Sequence, residues 1–148
     1  MNTQKFLVSG IVGGIVSFLG GYLIYGLLMA DFFTKNAGTV SVGVMRNMDD
    51  YVWLALCLGS LLQGLFISYI FNKWANITTL GAGAMAGLII GFFMSSSFDS
   101  MMYATSNIMS KKGVLGDVVC TTILAGLIGA AVGMMNGMGK KPAAWFTL

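Results

Sequence analysis

Apolar residues run almost unbroken through four stretches: Phe6–Met29, Tyr51–Phe71, Ile77–Phe98 and Val118–Met138, the helix of the last starting near Val114 or Val118. Each reaches the roughly 20 residues that carry a helix across the hydrocarbon core of a bilayer. Lipid offers the backbone no hydrogen-bond partner, so each stretch is predicted to satisfy its own N–H and C=O groups as a helix. The predicted fold is an all-α membrane protein, a four-helix transmembrane bundle with spans near 6–29, 51–71, 77–98 and 114–138. The spans and short connections use the whole of 1–148, which makes one integral membrane domain. Lys5 before the first apolar stretch superficially suggests a signal peptide. That stretch is too long for a signal core of about 7–15 residues, so it reads as a retained first helix.

The connections refine this layout. Residues 30–50 form the most polar stretch, with Thr39–Met45 suited to lie along a membrane surface. The short turn Asn72-Lys73-Trp74-Ala75-Asn76 predicts that the second and third spans are antiparallel neighbours. The third span can continue toward Met109 before Lys111-Lys112-Gly113 breaks it. Gly139 to Pro142 end the fourth. The first and third spans share glycine-rich sequences leading to Asp31-Phe32 and Phe98-Asp99, a loose sign of two related hairpins.

Small residues recur every fourth position, which keeps them on one helix face. The first span has Ser9, Gly13, Ser17 and Gly21. The third has Gly83, Gly87, Gly91 and Ser95, and the fourth has Gly129, Gly133 and Gly137. The second has a milder series, Ser60, Gly64 and Ser68. Such stripes let backbones approach closely, and van der Waals packing then replaces the hydrophobic force that lipid cannot provide. They either close within one chain or face outward and drive homo-oligomerisation. The first alternative carries more weight, because small-residue interfaces are general in membrane bundles.

Charge fixes the orientation only weakly. The chain has eight Lys and Arg, five acids and no His, for a formal charge of +3. Lys5, Lys73, Lys140 and Lys141 fall on one side. Lys35, Arg46, Lys111 and Lys112 fall on the other with all five aspartates. The two sides tie by the positive-inside rule, and the shorter segments of the first side favour both termini in the cytoplasm. Asp50 and Asp117 are placed before helices, where a carboxylate meets the positive end of the dipole. An acidic mouth for cations is discounted, because four cations share that face.

Candidate chemistry is sparse. With no ionisable group assigned mid-span and no nucleophile–base pair, phosphate loop or zinc motif, catalysis, cofactors and bound metal are not expected. Nor is nucleic acid at so small a net charge. Twelve methionines, with Met134 and Met138 one turn apart, raise Cu(I), but Met also fills gaps and faces lipid. Cys57 and Cys120 read as small buried hydrophobes, with a disulfide left open. Gln63 is the most polar side chain near a span midpoint. It serves either an interhelical hydrogen bond or a polar path, and the former is favoured.

Gly20-Gly21-Tyr22-Leu23-Ile24-Tyr25-Gly26, followed by Asp31-Phe32-Phe33, resembles a family of small bacterial four-span membrane proteins of unknown function. Ile24-Tyr25 stands where that family has Trp-Tyr. The resemblance implies a bacterial inner (cytoplasmic) membrane and no activity that could be carried over. The functional expectation is a non-enzymatic membrane protein, compact, homo-oligomeric or an accessory subunit of a larger membrane complex, with the lipid bilayer as its surroundings. The alternative is a small channel or transporter with a path lined by Gly, Ser and Gln63.

Overall fold

The computed structural model describes residues 2–39, 44, 46 and 48–138. Five α-helices follow in order: α1 (Thr3–Gly21), α2 (Ala30–Lys35), α3 (Trp53–Ile70), α4 (Leu80–Thr105) and α5 (Lys111–Gly137). α1 continues as a wider π-helical turn over Tyr22–Leu28 and α3 does the same over Phe71–Ala75. Four segments, Thr3–Leu28, Trp53–Ala75, Leu80–Thr105 and Lys111–Gly137, are long and apolar enough to cross a membrane. The all-α bundle is therefore as the hydropathy pattern predicts.

The helix ends depart from the expected ones, and capping explains why. Asn2 caps α1, Thr79 caps α4 and Ser110 caps α5, each side-chain oxygen accepting a backbone N–H of the first turn. Ser110 turns Lys111-Lys112-Gly113 from the predicted breaker into the first turn of α5. α4 neither stops at Phe98 nor reaches Met109: it runs to Thr105, where Ser106 becomes extended. Asn76, at φ 48°, closes the turn after α3 in the left-handed region. The surface segment proposed over Thr39–Met45 and the stop at Gly139–Pro142 lie largely or wholly outside the described residues.

The helices pack as two pairs, α4 on α5 and α1 on α3, and the pairs meet where α1 lies on α5. The expectation that the second and third spans are close neighbours is not met, since α3 and α4 hardly touch. Backbone proximity decides this. A Cβ on Gly83 would strike the carbonyl oxygen of Gly129, one on Gly87 that of Ala125, and one on Gly137 that of Thr78. Gly133 lies similarly close to the carbonyl oxygen of Thr79, and Gly91 packs on the Ala125 methyl and the backbone at Thr121 and Thr122. In the other pair, Gly64 nests against the backbone of Gly10, Gly13 and Gly14. Gly13 also touches Val132 and Ile128 of α5, whereas Gly21 reaches only the side chain of Leu124. Ile67, Phe71, Leu124, Ile128 and Val132 fill the small core between the pairs.

Polar side chains sew the bundle together at the end that holds the start of α1 and the end of α5. Ser9 and Ser68 share a 2.7 Å hydrogen bond, and Ser68 also donates to the carbonyl of Phe6. Asn72 Nδ2 donates to Asn136 Oδ1 at 3.0 Å, and Asn136 Nδ2 donates to the carbonyl of Ile77 at 3.2 Å. Lys5 Nζ reaches the carbonyls of Asn136 and Met138 at the C-terminus of α5, where the helix dipole favours a cation. At the opposite end the loop after α2 is pinned to the α4–α5 turn. Gly38 N donates to Ile108 O at 2.8 Å and Ser110 N to Asn36 O at 3.0 Å.

Four variants test this packing. Gly87→Ala drives a methyl into the α5 backbone and is expected to lower stability by about 1–3 kcal/mol. Gly59→Ala, where a Cβ meets nothing within 4 Å, is expected to cost nothing or to gain up to about 1 kcal/mol in helix propensity. Denaturant unfolding in detergent micelles measures both. Asn136→Leu removes the bond from Asn72 and the bond to the Ile77 carbonyl and is expected to cost about 1–2 kcal/mol by the same assay, while Met134→Leu on the exposed face leaves stability unchanged.

Candidate functional site

The every-fourth series of α4 does not end in glycine. It runs Gly83, Gly87, Gly91, Ser95 and Asp99, and these are the buried residues of the helix. The series of α5, followed toward its N-terminus from Gly133 through Gly129 and Ala125, reaches Thr121, Asp117 and Gly113. Two interlocked stripes therefore carry Asp99 and Asp117 to one level. Each aspartate is six residues inside its helix (99 to 105, 111 to 117), about 9 Å from the α4–α5 turn at 1.5 Å per residue. The placement of Asp117 ahead of its helix, and with it the absence of ionisable groups from the spans, is corrected here. The helices extend past the apolar runs because residues 99–105 are themselves helix-compatible and Ser110 caps α5.

Asp99 is only 5% exposed, and its Oδ2 has no hydrogen-bond partner. Its charged neighbour is Asp117 across the α4–α5 seam. Lys111 and Lys112 are exposed on the first turn of α5 and do not cancel this pair. Two carboxylates side by side in an apolar setting make a locally anionic site, to which a cation is the complementary charge.

The pair opens into a cavity of about 270 Å³ between α3, α4 and α5. Gln63, Phe66 and Ile67 line it from α3, Met94, Ser95 and Phe98 from α4, and Thr121 and Ala125 from α5. It exists because α3 follows α1 and leaves α4 free on that side. A second groove of about 280 Å³ lies between α1 and α3, rimmed by Phe18, Tyr22, Tyr25, Tyr51 and Trp53. Two hydrogen bonds stand between the grooves. Ser17 Oγ donates to Gln63 Oε1 at 2.6 Å, and Tyr25 Oη pairs with Thr121 Oγ1 at 2.7 Å. Gln63 thus makes an interhelical bond and lines a cavity at once. Tyr25 sits in the π-helical turn of α1, a wide turn of the kind that recurs at functional sites.

The other candidates fall elsewhere. Gly13, Gly83, Gly87, Gly129, Gly133 and Gly137 line helix contacts, and of the glycines only Gly91 also borders the acidic cavity. Met134 and Met138 are exposed on the outer surface. Cys57 is free and exposed rather than buried, and Cys120 is free and buried. Among the described residues no group of three or more His, Cys, Asp or Glu side chains could hold a metal ion.

No protein family matches the chain, and neither a curated protein nor a solved structure does. Of the resemblance to small four-span proteins, what stands is the four apolar helices.

Proposed function

We propose that this chain is a small non-enzymatic membrane transporter whose solute occupies the cavity between α3, α4 and α5. One observation carries the reading: Asp99 is buried within a membrane-spanning helix, its Oδ2 unpaired, beside a second carboxylate in a cavity. An ionisable group at such a position is costly, and proteins keep it where it handles a charged solute or lines a water-filled path. A bundle built for packing alone is better served by a serine or glycine at the end of the stripe. The start of α1 and the end of α5 lie at one end of the bundle, joined by Lys5 and Met138, and we place that end in the cytoplasm of a bacterial cell. The acidic cavity then faces the opposite side of the membrane.

Cysteine labelling tests this reading. In a chain with Cys57→Ser and Cys120→Ser, single cysteines at Gln63→Cys and Ser95→Cys are expected to react with a membrane-impermeant thiol reagent in intact proteoliposomes. Leu127→Cys, exposed on the outer face, is expected to stay unlabelled in lipid. If neither cavity position reacts in vesicles while both react in SDS, water does not reach the cavity and the transporter reading fails, leaving an accessory or packing role.

A further inference from the structure

We infer that the cavity between α3, α4 and α5 takes a small organic cation, with its positive centre on Asp99 and Asp117 and its apolar part against Phe66, Met94 and Phe98. This rests on the reading of the cavity as a solute site and names the class of solute.

The chemistry of the wall selects the ligand. The anionic element is a pair of carboxylates, one of them with a buried oxygen that nothing in the protein satisfies. Facing them from α3 is a neutral amide, Gln63, and the other titratable groups beside the pair, Tyr25 and Cys120 next to Asp117, carry no positive charge. A cation is therefore the complementary charge. A hard inorganic divalent ion wants about six to eight oxygens around it. Here the hydroxyls of Ser95 and Thr121 and the carbonyl of Gln63 already take part in hydrogen bonds within the bundle. Most of the remaining wall is apolar or aromatic, through Phe66, Ile67, Ile90, Met94 and Phe98. An alkylammonium group asks for less: one or two carboxylates, and ring faces or thioether and methylene groups around its carbons. The cavity volume of about 270 Å³ suits a single-ring ammonium. Because α3 and α4 hardly touch, the cavity is also open along the side of the bundle, a route suited to a cation with an apolar body.

Benzyltrimethylammonium is the probe, with neopentylbenzene as its uncharged counterpart of the same shape. The intact chain is placed in nanodiscs of phosphatidylglycerol, so that no lipid headgroup supplies a competing ammonium, and binding is measured by equilibrium dialysis of the labelled cation. Saturable binding is expected. Asp99→Asn, which keeps the size of the side chain, is expected to weaken it about tenfold or more, and Asp117→Asn to weaken it as well. Neither neopentylbenzene nor excess sodium chloride is expected to displace the probe. The inference is overturned by absence of saturable binding, by binding that both asparagine variants retain, by equal competition from neopentylbenzene, or by displacement with sodium. Size-exclusion profiles of the variants that match the parent keep a loss of binding from being read as unfolding. Water access at Ser95→Cys without cation binding overturns the ligand class alone and leaves the transporter reading standing.

Discussion

The close approach of the α4 and α5 backbones is the constraint on which the rest depends. In lipid, apolar side chains gain nothing by leaving the solvent, so helix pairs hold by packing density and by polar bonds. Gly83, Gly87, Gly129 and Gly133 remove the side chains that would keep the two backbones apart. Once α4 is committed to α5 along its length, it cannot also lie against α3. The short connection between α3 and α4 argues for neighbours, but the glycine seam outweighs it. α3 instead takes α1, through Gly64 against Gly10, Gly13 and Gly14. The cavity is thus a consequence of pairing: it is the space that two well-fitted hairpins leave between them.

The same seam sets the register of the aspartates. Four-residue spacing ties Asp99 to Gly87 and Gly91, and Asp117 to Ala125 and Gly129. A backbone lock in one half of the pair therefore fixes where the carboxylates meet in the other half. The two other stripes behave alike. Lys5 and Tyr25 extend the series through Ser9 and Gly21, and Asn72 extends the series through Gly64 and Ser68. Each helix face begins or ends in a polar group, and those groups make the contacts that join the hairpins: Asn72 with Asn136, Tyr25 with Thr121, Lys5 with the end of α5.

Span number, helical class and the small-residue faces were legible in the sequence because each depends on local periodicity. The helix ends were less so. Apolarity stops at Phe98 and resumes at Val118, but hydrogen bonding does not follow apolarity, and capping by Thr79 and Ser110 decides the true ends. Reading Asp117 as preceding its helix, and Asp99 as lying beyond the third span's apolar run, came from treating the edge of that run as the edge of the span. The signal that could have placed them was present, since the period of four passes through Ser95 to Asp99 without interruption. Pairing was not legible. Which stripe faces which depends on three-dimensional fit, and a short turn is a poor guide when its residues include a π-helical segment and a left-handed Asn76.

The two ends of the bundle treat their polar groups in opposite ways. At the end holding the start of α1 and the end of α5, Ser9, Ser68, Asn72 and Asn136 satisfy one another and the backbone carbonyls of Phe6 and Ile77. Each such bond adds about 0.6–2 kcal/mol in a membrane setting, so this end is closed by well-matched interactions across α1, α3 and α5. At the other end a buried carboxyl oxygen has nothing to accept from, beside another carboxylate and an unfilled space. Packing alone would select against that arrangement, because an unsatisfied buried polar atom costs free energy that glycine or serine would not. A stripe that is otherwise made of the smallest residues, and that ends in the least compatible one, is best understood as structure up to Gly91 and as a site beyond it. On the transporter reading proposed above, the satisfied end is the anchor about which the open end admits a solute.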